Sequence, residues 1–241
     1  MSTDNIINSF REIANKYPNK IALQYKDKSL TYEELEKKTN QFSWFLKDKG
    51  VIKNDRVMIM VENSIELIIS ILGTFKAGAV YIPINHNSGD AYLKKIIYES
   101  NSKYLILSSY TAQFYIDSHN ISSIICEESF FSLYSSVAFK ENSFYSKADL
   151  YINFTSGTTG VPKGVLIEQK SVFNYIKWCK KTYYNKEDNI SMPLFTSPSF
   201  DLTITSIFYP LLTAGKIIIY KNSNPVITFY NVIKDNKVNV I

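Results

Sequence analysis

Tyr151-Ile-Asn-Phe154, Thr155-Ser-Gly-Thr-Thr-Gly-Val-Pro-Lys-Gly164 and Val165-Leu-Ile167 follow one another without a break, and their reading decides what kind of chain this is. The first segment is short, apolar and aromatic, the composition of a buried strand. In the second, Gly157 and Gly160 let backbone N–H groups approach an anion, Thr155, Ser156, Thr158 and Thr159 add hydroxyl donors, and Lys163 adds a positive charge. This is the donor set of a phosphate cradle. It lacks the spacing of the common NTPase loop, which needs glycine, four residues, then Gly-Lys-Ser/Thr opening a helix. Here Pro162 precedes the lysine, and Val165 to Ile167 has strand character, so the loop is expected to join two strands. A plain Gly/Ser/Thr hairpin turn would share that topology without the chemistry; the length of the polar run and its Pro-Lys-Gly ending favour the cradle.

Working outward, helical and strand patterns alternate. Ile6, Ile7, Phe10, Ile13, Ala14 and Tyr17 recur at helical spacing, and Ile21–Tyr25 and Ser29–Thr31 flank a polar turn as a hairpin. Thr31 and Glu34 form a capping-box pattern opening a helix whose inner face is Leu35, Phe42, Phe45 and Leu46 and which Gly50 ends. Strand-then-helix units follow: Arg56–Val61 with Ser64–Ala77, Val80–Ile82 with Asp90–Glu99, and Tyr104–Leu107 with a short helix. Ile121–Cys126 and Leu150–Phe154 continue the strands, while Glu127–Lys147, rich in Ser and Phe, is the least readable stretch and is expected to contain loops. After the polar run come a helix over Ser171–Lys181, a strand over Ile190–Leu194, a helix over Leu202–Leu212 and a strand over Lys216–Tyr220. Val238–Ile241 resembles a strand cut in mid-course. The fold class is α/β, with doubly wound sheets and flanking helices.

Bulk properties exclude several functions. The 241 residues are 45% hydrophobic, enough for a sizeable core in one large domain or two subdomains. The net charge of +5 comes from scattered lysines beside acids, as in Glu33-Glu-Leu-Glu-Lys-Lys38, which reads as solvated helix surface rather than a nucleic-acid face. Leu67–Leu72 is too short to span a bilayer, and Met1-Ser-Thr-Asp4 lacks a basic secretory start, so no membrane partner and a cytoplasmic location are expected. Cys126 and Cys179, more than fifty positions apart and without metal-ligand spacing, read as free thiols. His86 and His119 read as surface residues, and Trp44 and Trp178 as helix packing.

Residues 155–164 resemble the signature loop of the adenylate-forming (AMP-binding) superfamily, which comprises acyl-CoA synthetases, luciferases and the amino-acid adenylation domains of nonribosomal peptide synthetases. Leu30-Thr-Tyr-Glu-Glu-Leu35 resembles its first core motif and Phe75-Lys-Ala-Gly-Ala-Val-Tyr-Ile-Pro-Ile84 its second; both read as fold rather than chemistry. Ser199-Phe-Asp-Leu-Thr203 resembles the aspartate motif of the amino-acid-activating branch. The resemblance covers residues 1–241 as the N-terminal part of an adenylation domain. The family's adenine-, Mg²⁺- and ribose-binding motifs, hinge and mobile C-terminal subdomain with its catalytic lysine have no counterpart here. The segment alone is therefore expected to be inactive, with no condensation domain before Met1. After Pro83 the usual aspartate-proline pair and later arginine give way to Asn85-His-Asn-Ser-Gly-Asp90 and Leu93-Lys-Lys95, a drift expected to lie outside the site.

The resemblance implies ATP-dependent activation of an amino acid as its aminoacyl-adenylate, followed by transfer to the phosphopantetheine thiol of a peptidyl carrier protein. A carboxylate is already a nucleophile, so alignment and charge stabilisation matter more than a catalytic triad, and no catalytic residue or metal ligand is assigned. Thr155, Ser156, Gly157, Thr158, Thr159, Gly160 and Lys163 would hold the ATP phosphates with Mg²⁺. Asp201, after Phe200, would pair with the substrate ammonium, although its position also suits a helix N-cap. Asp201, Leu202 and Thr205 occupy the first selectivity positions, in a combination similar to domains that activate aspartate or asparagine. Other adenylate-forming ligases, such as D-alanine–carrier-protein ligase or acyl-CoA synthetase, and a nonenzymatic remnant are the alternatives.

Overall fold

A computed structural model describes residues 5–113, 115, 121–138, 148–155, 162–183, 190–221, 224–235 and 237–240. The chain opens with helix α1 (Ile6–Lys16), whose first turn is capped by the Asn5 side chain. Strands β1 (Ile21–Tyr25) and β2 (Lys28–Thr31) form the expected hairpin. Helix α2 (Tyr32–Asp48) starts on a complete capping box, with Thr31 Oγ1 accepting from Glu34 N and Glu34 Oε2 accepting from Thr31 N. Gly50, at φ +91°, carries the chain out of it in the left-handed conformation that glycine adopts without strain.

The strand-then-helix units are β3 (Arg56–Met60) with α3 (Ile65–Lys76), β4 (Val80–Pro83) with α4 (Asp90–Ser100), β5 (Tyr104–Leu107) with the short α5 (Ser109–Ala112), and β6 (Ser122–Ile125) with the short α6 (Glu128–Phe131). Strands β7 (Asp149–Thr155) and β8 (Lys163–Glu168) follow, then α7 (Gln169–Tyr183), β9 (Ser191–Leu194), α8 (Leu202–Leu211), β10 (Lys216–Ile219) and α9 (Pro225–Lys234). The sequence reading does not contain α9, although Asn224-Pro225 is a cap-and-first-turn pair and the Asn224 side chain accepts from Val226 N and Ile227 N. Residues 238–240 are not a strand. The Asn239 and Val240 amides share the Ser191 carbonyl while the Asn239 side chain takes the Ser191 amide, an irregular contact at the margin of β9.

Two sheets result. One has four strands in the order β2-β1-β10-β9; the other has six, β6-β5-β3-β4-β7-β8, parallel except for the β7–β8 pair. The central strands of the larger sheet are apolar along their length because both faces are covered. Val57, Ile59, Tyr81, Ile106 and Tyr151 belong to the main core, which also takes in α2, α3 and the inner faces of β1 and β10. Met58, Ile82, Leu105 and Ile152 face the other way, under Leu93 and Ile96 of α4. Helix α3 touches strands of both sheets and is buried from Leu67 to Lys76. At about 1.5–3 kcal/mol for each fully buried large aliphatic side chain, this helix alone accounts for much of the apolar driving force between the sheets.

A polar hub sits inside that apolar packing. Lys76, with no exposed side-chain surface, donates to Glu36 Oε2 at 2.5 Å, Thr39 Oγ1 at 2.7 Å and Asn40 Oδ1 at 2.8 Å, and lies over the Phe10 ring. Arg11 of α1 bonds the other Glu36 oxygen at 3.3 Å. Glu36 is thus turned inward, unlike Glu33 and Lys37, whose exposed i,i+4 pair matches the solvated face expected here. Burial pulls the Lys76 ammonium down to about 8 despite the raising effect of Glu36.

Lys76→Ala should cost about 3–5 kcal/mol in urea unfolding, because it strands Glu36 among buried partners. The unfolded lysine keeps its ordinary value near 10.5, so between pH 8 and 10.5 the unfolded state binds more protons and the stabilising difference must grow with pH. Wild type should therefore gain on Lys76→Met across that window, by up to about 3 kcal/mol; two parallel stability–pH curves would contradict the assignment.

Candidate functional site

The site is organised by β7. Its antiparallel pairing with β8 sets Tyr151 opposite Ile167, Asn153 opposite Val165 and Thr155 opposite Lys163. The loop does join two strands, and its first and last polar side chains, both exposed, meet across the hairpin mouth. Ser156, Gly157, Thr158, Thr159 and Gly160 lie outside the described residues, as does His119. Gly164 is needed at the base of the hairpin, since a Cβ there would stand 2.9 Å from Ile152 Cγ2 and 3.0 Å from Phe154 Cζ.

On β7 the side chains of 151, 153 and 155 share a face. Tyr151 stacks on Tyr81 with ring centroids 5.4 Å apart, and burial, with a smaller contribution from the Asp201 charge, pushes its hydroxyl pKa up. Asp201 stands between two hollows. One, of 370 Å³, is lined by Tyr151, Ser171, Tyr175, Leu202 and Thr205; the other, of 450 Å³, by Asn153, Thr155, Ser199, Phe200, Asn85, Ser88 and Tyr92. Asn85 and Ser88 belong to the drifted stretch after Pro83, expected to lie apart from the site; the parallel β3–β4–β7 arrangement delivers its loop to the same end of the sheet as this hollow. A third hollow, of 570 Å³, lies beyond Leu202 and Thr205 and reaches Cys179, Met192, Phe195 and Tyr209.

The turn that presents Asp201 is fixed by Thr203, which is fully buried and donates through Oγ1 to the Ser197 carbonyl at 2.7 Å. Phe200 N bonds Ser197 O, Thr203 N bonds Phe200 O and Ile204 N bonds Asp201 O. Helical winding therefore begins before Asp201, whose backbone is already α-helical at φ −59°, ψ −33°. A cap carboxylate accepts from the second or third helical amide. Among the described residues Asp201 Oδ1 takes only the adjacent Leu202 N, at 2.8 Å, while backbone carbonyls satisfy the two amides that a cap would serve. The side chain stands where a cap would stand without doing a cap's work, and most of its acceptor capacity faces the hollows.

Phe200 and Leu202 are 62% and 61% exposed, so neither packs the helix it borders. Thr205 shares a hydroxyl contact with Tyr175 at 2.8 Å. Trp178 is not buried as helix packing would have it; it is half-exposed and stacks on Tyr175 at 6.2 Å. Trp44 is half-buried and donates its indole N–H to Val137 O. Both cysteines are free and buried, and burial pushes the Cys126 thiol well up. His86 is half-buried, and desolvation lowers its pKa.

Asn153, which was not singled out in the sequence, lines the same 450 Å³ hollow as Asp201. Its Oδ1 is buried and has no hydrogen-bond partner among the described residues. A polar residue in the otherwise apolar Tyr151–Phe154 run was the available signal. Among the described residues no cluster of three or more His, Cys, Asp or Glu side chains could hold a metal ion, and no helix is long and apolar enough to cross a membrane.

Comparison with known proteins agrees with this geometry. The family described as "AMP-binding enzyme" matches residues 10–241. The chain is 34% identical over 242 residues to tyrocidine synthase 3 of Brevibacillus parabrevis, covering 95% of this chain and 4% of that protein. It is also 34% identical over 235 residues to bacitracin synthase 3 of Bacillus licheniformis, covering 96% of this chain and 4% of that one. The chain thus spans only a small part of the length of either relative. In three dimensions it resembles the NpsA N-terminal subdomain of Klebsiella oxytoca in complex with 3-hydroxybenzoyl-AMSN, with a TM-score of 0.85 at 24% identity over 98% of this chain and 58% of that one. The chain belongs to the AMP-binding enzyme family and corresponds to the N-terminal part of an adenylation domain of the kind found in nonribosomal peptide synthetases.

Proposed function

We propose that this chain forms the amino-acid- and phosphate-binding part of a ligase that converts an amino acid and MgATP into an aminoacyl-adenylate and pyrophosphate, for loading onto a carrier-protein thiol. The observation that carries the reading is that Asp201 and Thr155 line one cleft, with the Asp201 carboxylate left open to it. An ammonium at Asp201 would leave the substrate carboxylate directed along β7 toward the mouth of the 155–163 loop. Attack on the α-phosphorus forms the carboxyl oxygen–phosphorus bond and breaks the bond to the pyrophosphate oxygen; no proton need leave the nucleophile. Lys163, with the hydroxyls and amides of residues 155–160, would take up charge on the departing pyrophosphate. The metal enters as part of the nucleotide substrate.

The substrate side chain would occupy the hollow beyond Leu202 and Thr205. The Thr205–Tyr175 hydroxyl pair, Ser206 and Asn239 line parts of that space and support a short polar side chain, with aspartate or asparagine as the proposed substrate.

Two substitutions test the roles in the full-length gene product. Asp201→Ala should reduce kcat/KM for the amino acid in pyrophosphate exchange by about 100-fold, the worth of a charge-assisted hydrogen bond of roughly 2–3 kcal/mol, while costing less than about 1 kcal/mol of stability. A larger loss of stability with unchanged selectivity would restore the cap. Lys163→Ala should lower exchange at least tenfold, a change of about 1.4 kcal/mol, and leave the thermal midpoint within the scatter of an ordinary surface substitution. Unchanged exchange would remove Lys163 from the phosphate site.

A further inference from the structure

We propose that the ring of Tyr175 limits the length of the substrate side chain that the site accepts. The inference rests on the amino-acid reading above and adds to it a specificity-determining residue from α7. Tyr175 lines both the 370 Å³ hollow that holds Asp201 and the 570 Å³ hollow proposed for the side chain, a position it shares with Leu202 and Thr205 of α8. A side chain that starts beside Asp201 and enters the larger hollow would pass these three residues.

Two contacts hold the ring at that junction. Its hydroxyl lies 2.8 Å from Thr205 Oγ1, which joins α7 to α8 where the hollows meet. The Trp178 ring, one turn further along α7, stacks on it. The pattern of α7 adds a third observation. Val172, Tyr175, Ile176 and Cys179 recur at the spacing of a core-facing stripe. Val172, Ile176 and Cys179 are buried as such a stripe requires, whereas Tyr175 keeps 40% of its surface. The aromatic member of the stripe thus faces the hollows on both sides of it. A wall of close-packed side chains does not give way by a methylene without cost, so the place of the ring becomes a limit on length.

The test is pyrophosphate exchange by the full-length gene product with two pairs of amino acids, aspartate with glutamate and asparagine with glutamine. The members of each pair differ by one methylene and share their polar group, so the ratio of their kcat/KM values reads length alone. Wild type should prefer the shorter member of at least one pair by tenfold or more, and Tyr175→Ala should raise the longer-to-shorter ratio of that pair about tenfold. Tyr175→Leu, which keeps an apolar body on the stripe, gives the same reading if the alanine variant fails to fold. Tyr175→Phe keeps the ring and should hold the ratio within about threefold of wild type. A loosened α7–α8 contact would lower exchange with both members together and leave their ratio alone. A ratio unchanged in Tyr175→Ala or Tyr175→Leu would overturn the inference, as would a wild type that takes the longer member of both pairs as readily as the shorter. A phenylalanine variant shifted as far as the alanine one would also overturn it, because the limit would then lie in the hydroxyl and not in the ring. Asp201→Ala, run in parallel, separates the two levels: if it abolishes exchange while Tyr175→Ala keeps the wild-type ratio, only the present inference fails, and if it loses nothing, both fall.

Discussion

The pairing of β7 with two different neighbours is the constraint on which the rest of the site depends. On one side β7 runs parallel to β4, which fixes its depth in the six-stranded sheet; on the other it turns back through β8, which fixes where the polar loop is held. A one-residue slip in either register would swap the faces, turning Tyr151 away from the Asp201 side and Ile152 toward it. The close approach of Gly164 to Ile152 and Phe154 guards against such a slip, since the hairpin closes only where no side chain intervenes.

Asp201 approaches the same cleft from the other sheet, on the turn between β9 and α8. Relative placement of the two sheets therefore sets the distance between the carboxylate and the phosphate loop. Helix α3 fills the space between them, and Tyr32 bridges from α2 to the Pro210 and Gly215 carbonyls beside β10. Asn63, just past β3, donates to the Thr196 and Tyr220 carbonyls at the far ends of β9 and β10. These contacts link chain segments more than a hundred residues apart, so the geometry of the site belongs to the folded whole and to no local motif. The Lys76 hub contributes in the same way by fixing α1, α2 and α3 to one another.

Much of this was legible in the sequence where local chemistry determines the outcome. The capping box at Thr31, the positive-φ exit at Gly50 and the strands covered on both faces all follow from patterns a few residues long. The hairpin around 155–163 was legible for the same reason. What escaped depends on long-range placement. Nothing in Glu33–Lys38 distinguishes Glu36 from its solvated neighbours until Lys76 arrives from α3. The stretch after Pro83 reaches the cleft only because β4 lies beside β7, and Trp178 faces outward against a helical pattern that predicts packing. That Asn153 Oδ1 has no partner among the described residues became visible only with its surroundings. Asp201 was read with two meanings, and its αR backbone and bond to Leu202 N depart from the usual geometry of a cap.

The account's central claim is that Asp201 receives an ammonium and the 155–163 hairpin receives phosphate, with the reacting carboxylate between them. A crystal structure of the full-length gene product bound to an aminoacyl sulfamoyl-adenosine, an unreactive stand-in for the aminoacyl-adenylate, tests it most directly. The account predicts the ligand's ammonium nitrogen within about 2.7–3.2 Å of an Asp201 carboxylate oxygen, with the sulfamoyl group, which replaces the phosphate, directed at the mouth of the hairpin. A ligand bound with its ammonium away from Asp201, or with the sulfamoyl group at the opposite end of the cleft, would contradict it.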